Sequence, residues 1–243
     1  MRVVTYNIRG ALGMDGMRSI RRIAEVLQQI DADVICLQEV HKWLPWSQFK
    51  DQSGALSRLL GKRAVFQNNY RVGPGGFGNL ILTSFPILSH VSHTLPNENE
   101  RRNILRKPEK RGLLEAHLQA PTGKLAIFTT HWSLDPEDRQ TSADLVALIV
   151  RNAGAPVILC GDLNSLPESA EILRLQSETG LVDTAARDPR PTFTSEKPTE
   201  RIDYIWISSE VKAEKVEVGQ TQASDHLPVT CEFSFSALSH SNV

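Results

Sequence analysis

The chain has 243 residues, 40% hydrophobic and 23% charged, which suits a folded protein with a sizeable core and not a disordered segment. The formal net charge of −1 argues against a protein that grips nucleic acid through one broad basic face, so any such contact would have to be local. Three cysteines without a C-x-x-C pair argue against a zinc ribbon, and their odd, sparse number fits a reducing compartment better than a disulfide framework.

In chain order, RVVTYNI is rich in β-formers and predicts a strand. MRSIRRIAEVLQQI places Ile20, Ile23, Leu27 and Ile30 on one helical face. DVICLQEV is a short, nearly continuous apolar run, as in a strand covered on both faces. A loop with Trp43, Pro45 and Trp46 follows, then a short helix through Leu56, Leu59 and Leu60. AVFQ, NLILTS and ILSHVSHTL read as successive strands, and residues 96–111 as polar and irregular. GLLEAHLQA and KLAIFTTHW flank a Pro-Thr-Gly turn and predict a hairpin.

Asp135–Arg151 is expected to be helical, with Leu145, Leu148 and Ile149 facing inward. PVILCGD is another buried strand, and a helix is expected around Pro167–Glu178. RIDYIWIS, KVEVG and PVTCEFSF complete the strands. Cys36 and Cys160 lie inside apolar runs, where they behave as small hydrophobes. Strands span nearly the whole chain with helices between them, without an internal repeat, so one α/β or α+β domain over 1–236 with a tail at 237–243 is expected. The first residues show no signal peptide, and no stretch is apolar enough to be a transmembrane segment, so a cytoplasmic location is expected. Nothing in the pattern fixes an oligomeric state.

The polar residues gather at strand ends. Asn7 closes RVVTYN, Glu39 closes VICLQE and His131 closes AIFTTH. Asp162 and Asn164 close VILCGDLN, Asp203 interrupts RIDYIW, and Asp225 and His226 precede PVTCEF. Each alone reads equally well as a turn former, a solvated acid or an ordinary ion pair. Together they form an oxygen-rich set without a thiolate, which suits magnesium or manganese and the hydrolysis of a phosphate ester.

Two other signals do not carry. The GxGxxG of Gly73, Gly75 and Gly78 precedes a strand, so no helix N-terminus is there to hold a pyrophosphate. Ser224, Asp225 and His226 are consecutive and cannot form the serial bonds of a hydrolase triad.

The blocks TYNIR, LQEV, GNLILTSFP, KRGLLE, THW, GDLN, RIDYI and SDHLPV occur in that order from residue 3 to about residue 230. Together they resemble the endonuclease/exonuclease/phosphatase superfamily, the deoxyribonuclease I-like fold. The resemblance implies a four-layer sandwich, two mixed β-sheets face to face with helices outside, and a site at one edge. It implies that Glu39 is the main magnesium ligand, that Asn7 supports it, and that Asp225 lies at or near the metal. It implies that Asp162 activates the attacking water, that Asn164 and His131 donate to phosphate oxygens, and that His226 with its partner Asp203 acts on the scissile phosphate. Asn79 would lie near the phosphate and Arg111 within reach of one.

The implied substrate is a phosphate ester, with nucleic acid open as one class and a small-molecule or lipid phosphate as the other. A scaffold that binds phosphate without turnover is a third reading, and the intact residue set weighs against it. Two stretches are candidates for specificity. One is HKWLPWSQFK over 41–50; the other is 98–111, with Arg101, Arg102, Arg106, Lys107, Lys110 and Arg111 against Glu98, Glu100 and Glu109.

Overall fold

The computed structural model describes residues 1–97 and 109–235. Most of the basic stretch (Arg101, Arg102, Arg106, Lys107) and the expected C-terminal tail lie outside the described residues. The strands are β1 (Arg2–Asn7), β2 (Val34–Lys42), β3 (Arg63–Val72), β4 (Gly75–Thr83), β5 (Ile87–Leu95), β6 (Arg111–Ala120), β7 (Gly123–His131), β8 (Val157–Asp162), β9 (Val182–Asp183), β10 (Asp203–Ile207), β11 (Val211–Val218) and β12 (Val229–Phe235). The helices are α1 (Ile20–Ile30), α2 (Gln52–Leu60), α3 (Pro136–Arg151) and α4 (Ala170–Thr179).

The strands form two six-stranded sheets, β11-β12-β1-β2-β4-β3 and β5-β6-β7-β8-β10-β9. Both are mixed: β1 and β2 are parallel, as are β7 and β8, and the other pairings are antiparallel. Side chains alternate across a strand, so each central strand feeds two cores. Val3, Cys36, Ile127, Ile158, Cys160 and Ile205 pack between the sheets. Val4, Ile35 and Leu37 face the other way, onto Ile23, Leu27 and Leu56 of α1 and α2. Phe128, Leu159, Tyr204 and Trp206 face α3 and α4. This double coverage explains the unbroken apolar runs in β2 and β8. Burying one such Leu or Ile contributes about 1.5–3 kcal/mol relative to exposure. The result is the four-layer sandwich, and all three cysteines are buried and free.

Local signals set the helix starts. Ser19 caps α1 by accepting from the Arg22 N–H, Asp51 caps α2 by accepting from Gly54, and Asp135 caps α3 ahead of Pro136 at its first position. The inward face of α3 differs from expectation. Ala143, Val146, Ala147 and Val150 are buried, Leu145 and Ile149 flank them, and Leu148 is 50% exposed. Small residues at i, i+3, i+4 and i+7 let the helix approach the sheet closely, which the larger leucines would prevent. α4 starts at Ala170, because Pro167–Ser169 are spent on the turn that leads into it.

Candidate active site

The same alternation builds the site. Val3, Thr5 and Asn7 follow one another along one face of β1, as do Ile127, Thr129 and His131 on β7 and Ile158, Cys160 and Asp162 on β8. The layer between the sheets is therefore apolar at one end and polar at the other. At its middle the Gln38 Nε2 donates to Thr5 Oγ1 at 3.1 Å and to Thr129 Oγ1 at 2.9 Å, tying the two sheets together. At its polar end strand register sets three residues in one row: His131 is the register partner of Asp162, and Asp162 that of Asp203. Their side chains share a face and converge.

His226 reaches this row from the loop before β12. Its Nδ1 lies 2.9 Å from Asp203 Oδ2, and its Nε2 lies 3.6 Å from Asp162 Oδ2. The Thr192 hydroxyl donates to the same Asp203 oxygen at 2.6 Å, and the Phe193 ring packs on the imidazole with centroids 4.9 Å apart. From the other sheet the Asn7 Nδ2 donates to Asp162 Oδ2 at 2.9 Å and to Glu39 Oε1 at 3.0 Å. One amide thus orients a carboxylate from each sheet, while its Oδ1 accepts from the Arg9 N–H at 3.1 Å.

Two backbone features make this arrangement attainable. The register of β2 against β4 shifts between Leu37 and Val40, and Glu39 takes a φ of 54°. This bulge buries Gln38 in the intersheet layer and turns Glu39 to the mouth of the site. At Gly161 a Cβ would meet the Thr130 carbonyl oxygen at 2.2 Å, so only glycine lets β8 approach β7 closely enough to align Asp162 with His131. After it the Asn164 N–H donates to Asp162 Oδ1 at 3.0 Å, and the Asn164 Nδ2 donates to the Trp132 carbonyl at 2.9 Å.

Electrostatics separates the groups. Burial pushes the Glu39 carboxyl up to about 7, against the Asn7 hydrogen bond, and burial pushes Asp162 up to about 6, against His226. Burial works against a charged His226, but Asp203 and Asp162 outweigh it and hold the imidazolium up to about 10. His131 is held well below the usual histidine range by burial, then by the Arg111 and His226 charges. The neutral ring suits its neighbour: Arg111, buried at the start of β6, brings its Nη1 within 3.0 and 3.1 Å of the two ring nitrogens.

Of the ten residues singled out from the sequence, Asn7, Glu39, Arg111, His131, Asp162, Asn164, Asp203 and His226 are joined by these contacts. Asp225 lies at the rim, its Oδ2 3.1 Å from Arg9 Nε. Asn79 does not join them. It is fully buried deeper in the intersheet layer, where its Nδ2 donates to the Gly112 carbonyl at 2.9 Å. Sequence reasoning assigned no role to Arg9, although it closes the TYNIR block, or to Thr192, which no local pattern marks. The side chains fit a divalent cation. Glu39 is a half-buried acid without a cationic ion-pair partner among the described residues, its amide partner Asn7 also bonding a second carboxylate, Asp162, and the donor set is oxygen-rich. Asp162, Asp203 and His226 form a further compact group whose ligand atoms lie within 4.8 Å of one another.

Two facing sheets flanked by helices, with a carboxylate–imidazole cluster where both sheets end, define the four-layer α/β class built on the deoxyribonuclease I-like sandwich. The chain belongs to the endonuclease/exonuclease/phosphatase family, whose model matches residues 4–226. Members of this family generally hydrolyse phosphoester bonds. The fold is similar to an endonuclease/exonuclease/phosphatase structure from Beutenbergia cavernae at a TM-score of 0.81 and 25% identity, covering 97% of this chain and 72% of that one. It is also similar to the mannosyl-6-phosphatase of Bacteroides thetaiotaomicron (TM-score 0.75, 22% identity, 97% and 100% covered) and to the human Nocturnin catalytic domain (0.76, 22%, 97% and 94%). A UPF0294 protein of Vibrio vulnificus is 28% identical over 137 residues, 51% of this chain and 45% of the relative, so the match spans about half of each. No helix among the described residues is long and apolar enough to cross a membrane.

Proposed function

We propose that this protein hydrolyses a phosphate monoester or diester by in-line attack of water, with Mg²⁺ or Mn²⁺ as cofactor. The observation that carries the reading is the row Asp203–His226–Asp162 meeting Asn7 and Glu39 where the two sheets end. Asp162 is the general base. With its pKa about 6 it is ionised at neutral pH yet basic enough to take a proton from water. Asn7 and the Asn164 N–H fix its two oxygens, so the base is aimed before substrate arrives.

His226, charged and backed by Asp203, donates from Nε2 to a phosphoryl oxygen. Thr192 holds the Asp203 oxygen and with it the imidazole's orientation. Neutral His131 donates through whichever nitrogen carries its proton, and Arg111 beside it adds positive charge. Asn164 contributes its second amide hydrogen. Glu39 would hold the divalent cation, with Asn7 fixing its carboxylate and Asp225 at the rim with Arg9. When bound, such an ion supplies Lewis-acid stabilisation of charge on the phosphoryl oxygens.

The reading is tested by Mg²⁺-dependent nicking of supercoiled plasmid and hydrolysis of oligonucleotide and sugar-phosphate substrates by the wild type and His226→Ala. Turnover by the wild type and its loss in the variant is the expected result. Divalent-ion binding without turnover on any phosphate ester would leave the scaffold reading in its place.

A further inference from the structure

Beside the site a cavity of 450 Å³ opens between the N-termini of α1 and α2. Arg18, Arg21, Lys50 and Arg58 line it, and Asp51 is the single carboxylate among the lining residues. That carboxylate is already engaged: it accepts from Ser53 Oγ at 2.6 Å and from Gly54 N at 3.0 Å, and pairs with Lys42 at 3.6 Å. Among the described residues none of the four cations forms an ion pair. Four like charges around one pocket repel one another, and an anion in the pocket relieves that repulsion. Guanidinium groups bind phosphate oxygens through paired N–H bonds, and the four cations outnumber the one carboxylate, the α2 cap Asp51, at the cavity.

The cavity and the catalytic mouth share a wall. Arg9, Gly10 and Ala11 form a left-handed turn with φ of 48°, 57° and 62°. On the cavity side the Arg18 Nη1 donates to the Gly10 carbonyl at 2.8 Å and to the Arg9 carbonyl at 3.2 Å, and the Gln52 Nε2 donates to Gly10 at 2.8 Å. On the other side Arg9 bonds Asn7 through its N–H and Asp225 through its side chain. Gly10 is required here because a Cβ would meet the His41 ring at 2.2 Å. The Arg9–Ala11 turn thus lies between Arg18 of the cavity and the proposed hydrolytic centre.

We propose that this cavity binds a second phosphate group of the substrate, so that one phosphate is hydrolysed while another is held by Arg18, Arg21, Lys50 and Arg58. The inference rests on the phosphohydrolase reading for its second half only; the cavity's affinity for phosphate stands by itself. Specificity would then follow from the spacing of two phosphates rather than from the group between them. A neighbouring phosphate of a nucleic-acid strand and the second phosphate of a small bisphosphate present the same chemistry.

The test uses Arg21→Glu/Arg58→Glu, both exposed and outside the hydrolytic cluster, with Arg21→Lys/Arg58→Lys as the conservative control. Substrates are bis(p-nitrophenyl) phosphate with one phosphate, a short oligonucleotide, and a hexose bisphosphate beside its monophosphate. The charge reversal is expected to raise KM about tenfold or more for a substrate with a second phosphate, with kcat and the one-phosphate substrates unchanged. A rise confined to the oligonucleotide identifies a strand phosphate, and one confined to the bisphosphate a small molecule. Equal effects on all substrates, or none, overturn the proposal. Independently, inorganic phosphate is titrated into metal-free wild type and the arginine side-chain NMR signals followed. Saturable shifts at Arg21 and Arg58 without turnover of any ester would reject the hydrolase reading and retain the cavity. Normal turnover with those signals unmoved would reject the cavity alone.

Discussion

The two sheets contribute to the site by different means. The second sheet supplies His131, Asp162 and Asp203 through straightforward register across β7, β8 and β10. The first supplies Glu39 only by breaking register, with a bulge and a left-handed residue in β2. Register is held by hydrogen bonds along whole strands, so the second half is rigid at little local cost. A non-glycine left-handed residue costs on the order of 1–3 kcal/mol and persists because its surroundings over-determine it. Here those surroundings are the Gln38 bridge to Thr5 and Thr129 and the Asn7 bond to Glu39. The proposed general base Asp162 is built on the stiff frame, and the proposed cation ligand Glu39 on the adjustable one.

The comparison breaks most sharply at Asp162. Asp162→Asn is expected to lower kcat by about 10³-fold with the folded state intact, because it removes the base and keeps the strand. Steady-state kinetics with a denaturation midpoint measures both, and near-normal turnover would remove Asp162 from its role. Gly161→Ala tests the register itself. Its Cβ cannot coexist with the Thr130 carbonyl, so a loss of about 3 kcal/mol or more in chemical denaturation is expected, with activity falling as β8 is displaced from β7.

Asn79→Ala separates the intersheet layer from the site. It removes the bond to Gly112 from a buried position, so about 1–3 kcal/mol of stability should go while KM stays within about twofold. A selective rise in KM would instead return Asn79 to the substrate. A last test concerns pH. His226 has a folded pKa of about 10 against an ordinary 6.5, so its charged form stabilises the fold fully below 6.5 and that contribution fades as pH rises through 10. Asp203→Asn should flatten this dependence between pH 6.5 and 10 in metal-free protein, as read from denaturation midpoints across the range.

Much of this was legible in one dimension. Period-two alternation in RVVTYN, VILCGD and AIFTTH sets which residues share a face, so the polar ends of those strands announce a common layer. The exposure of Leu148 and the intersheet place of Asn79 were not legible for related reasons. Apolar size does not reveal helix phase when the buried face is made of alanines and valines, and an amide beside an apolar run reads alike whether it faces a ligand or a second sheet. By itself the sequence determined eleven of the twelve strands among the described residues, all but the two-residue β9, together with the two-sided burial of β2 and β8 and the chemical kind of the site, because these follow from local periodicity and side-chain chemistry. Only the tertiary structure decided that Asn7 joins Glu39 to Asp162, that Arg9 pairs with Asp225, and that four cations from α1, α2 and their preceding loops surround one cavity. Those contacts join residues far apart in the chain, and their geometry is set by how two sheets pack, which no local pattern encodes.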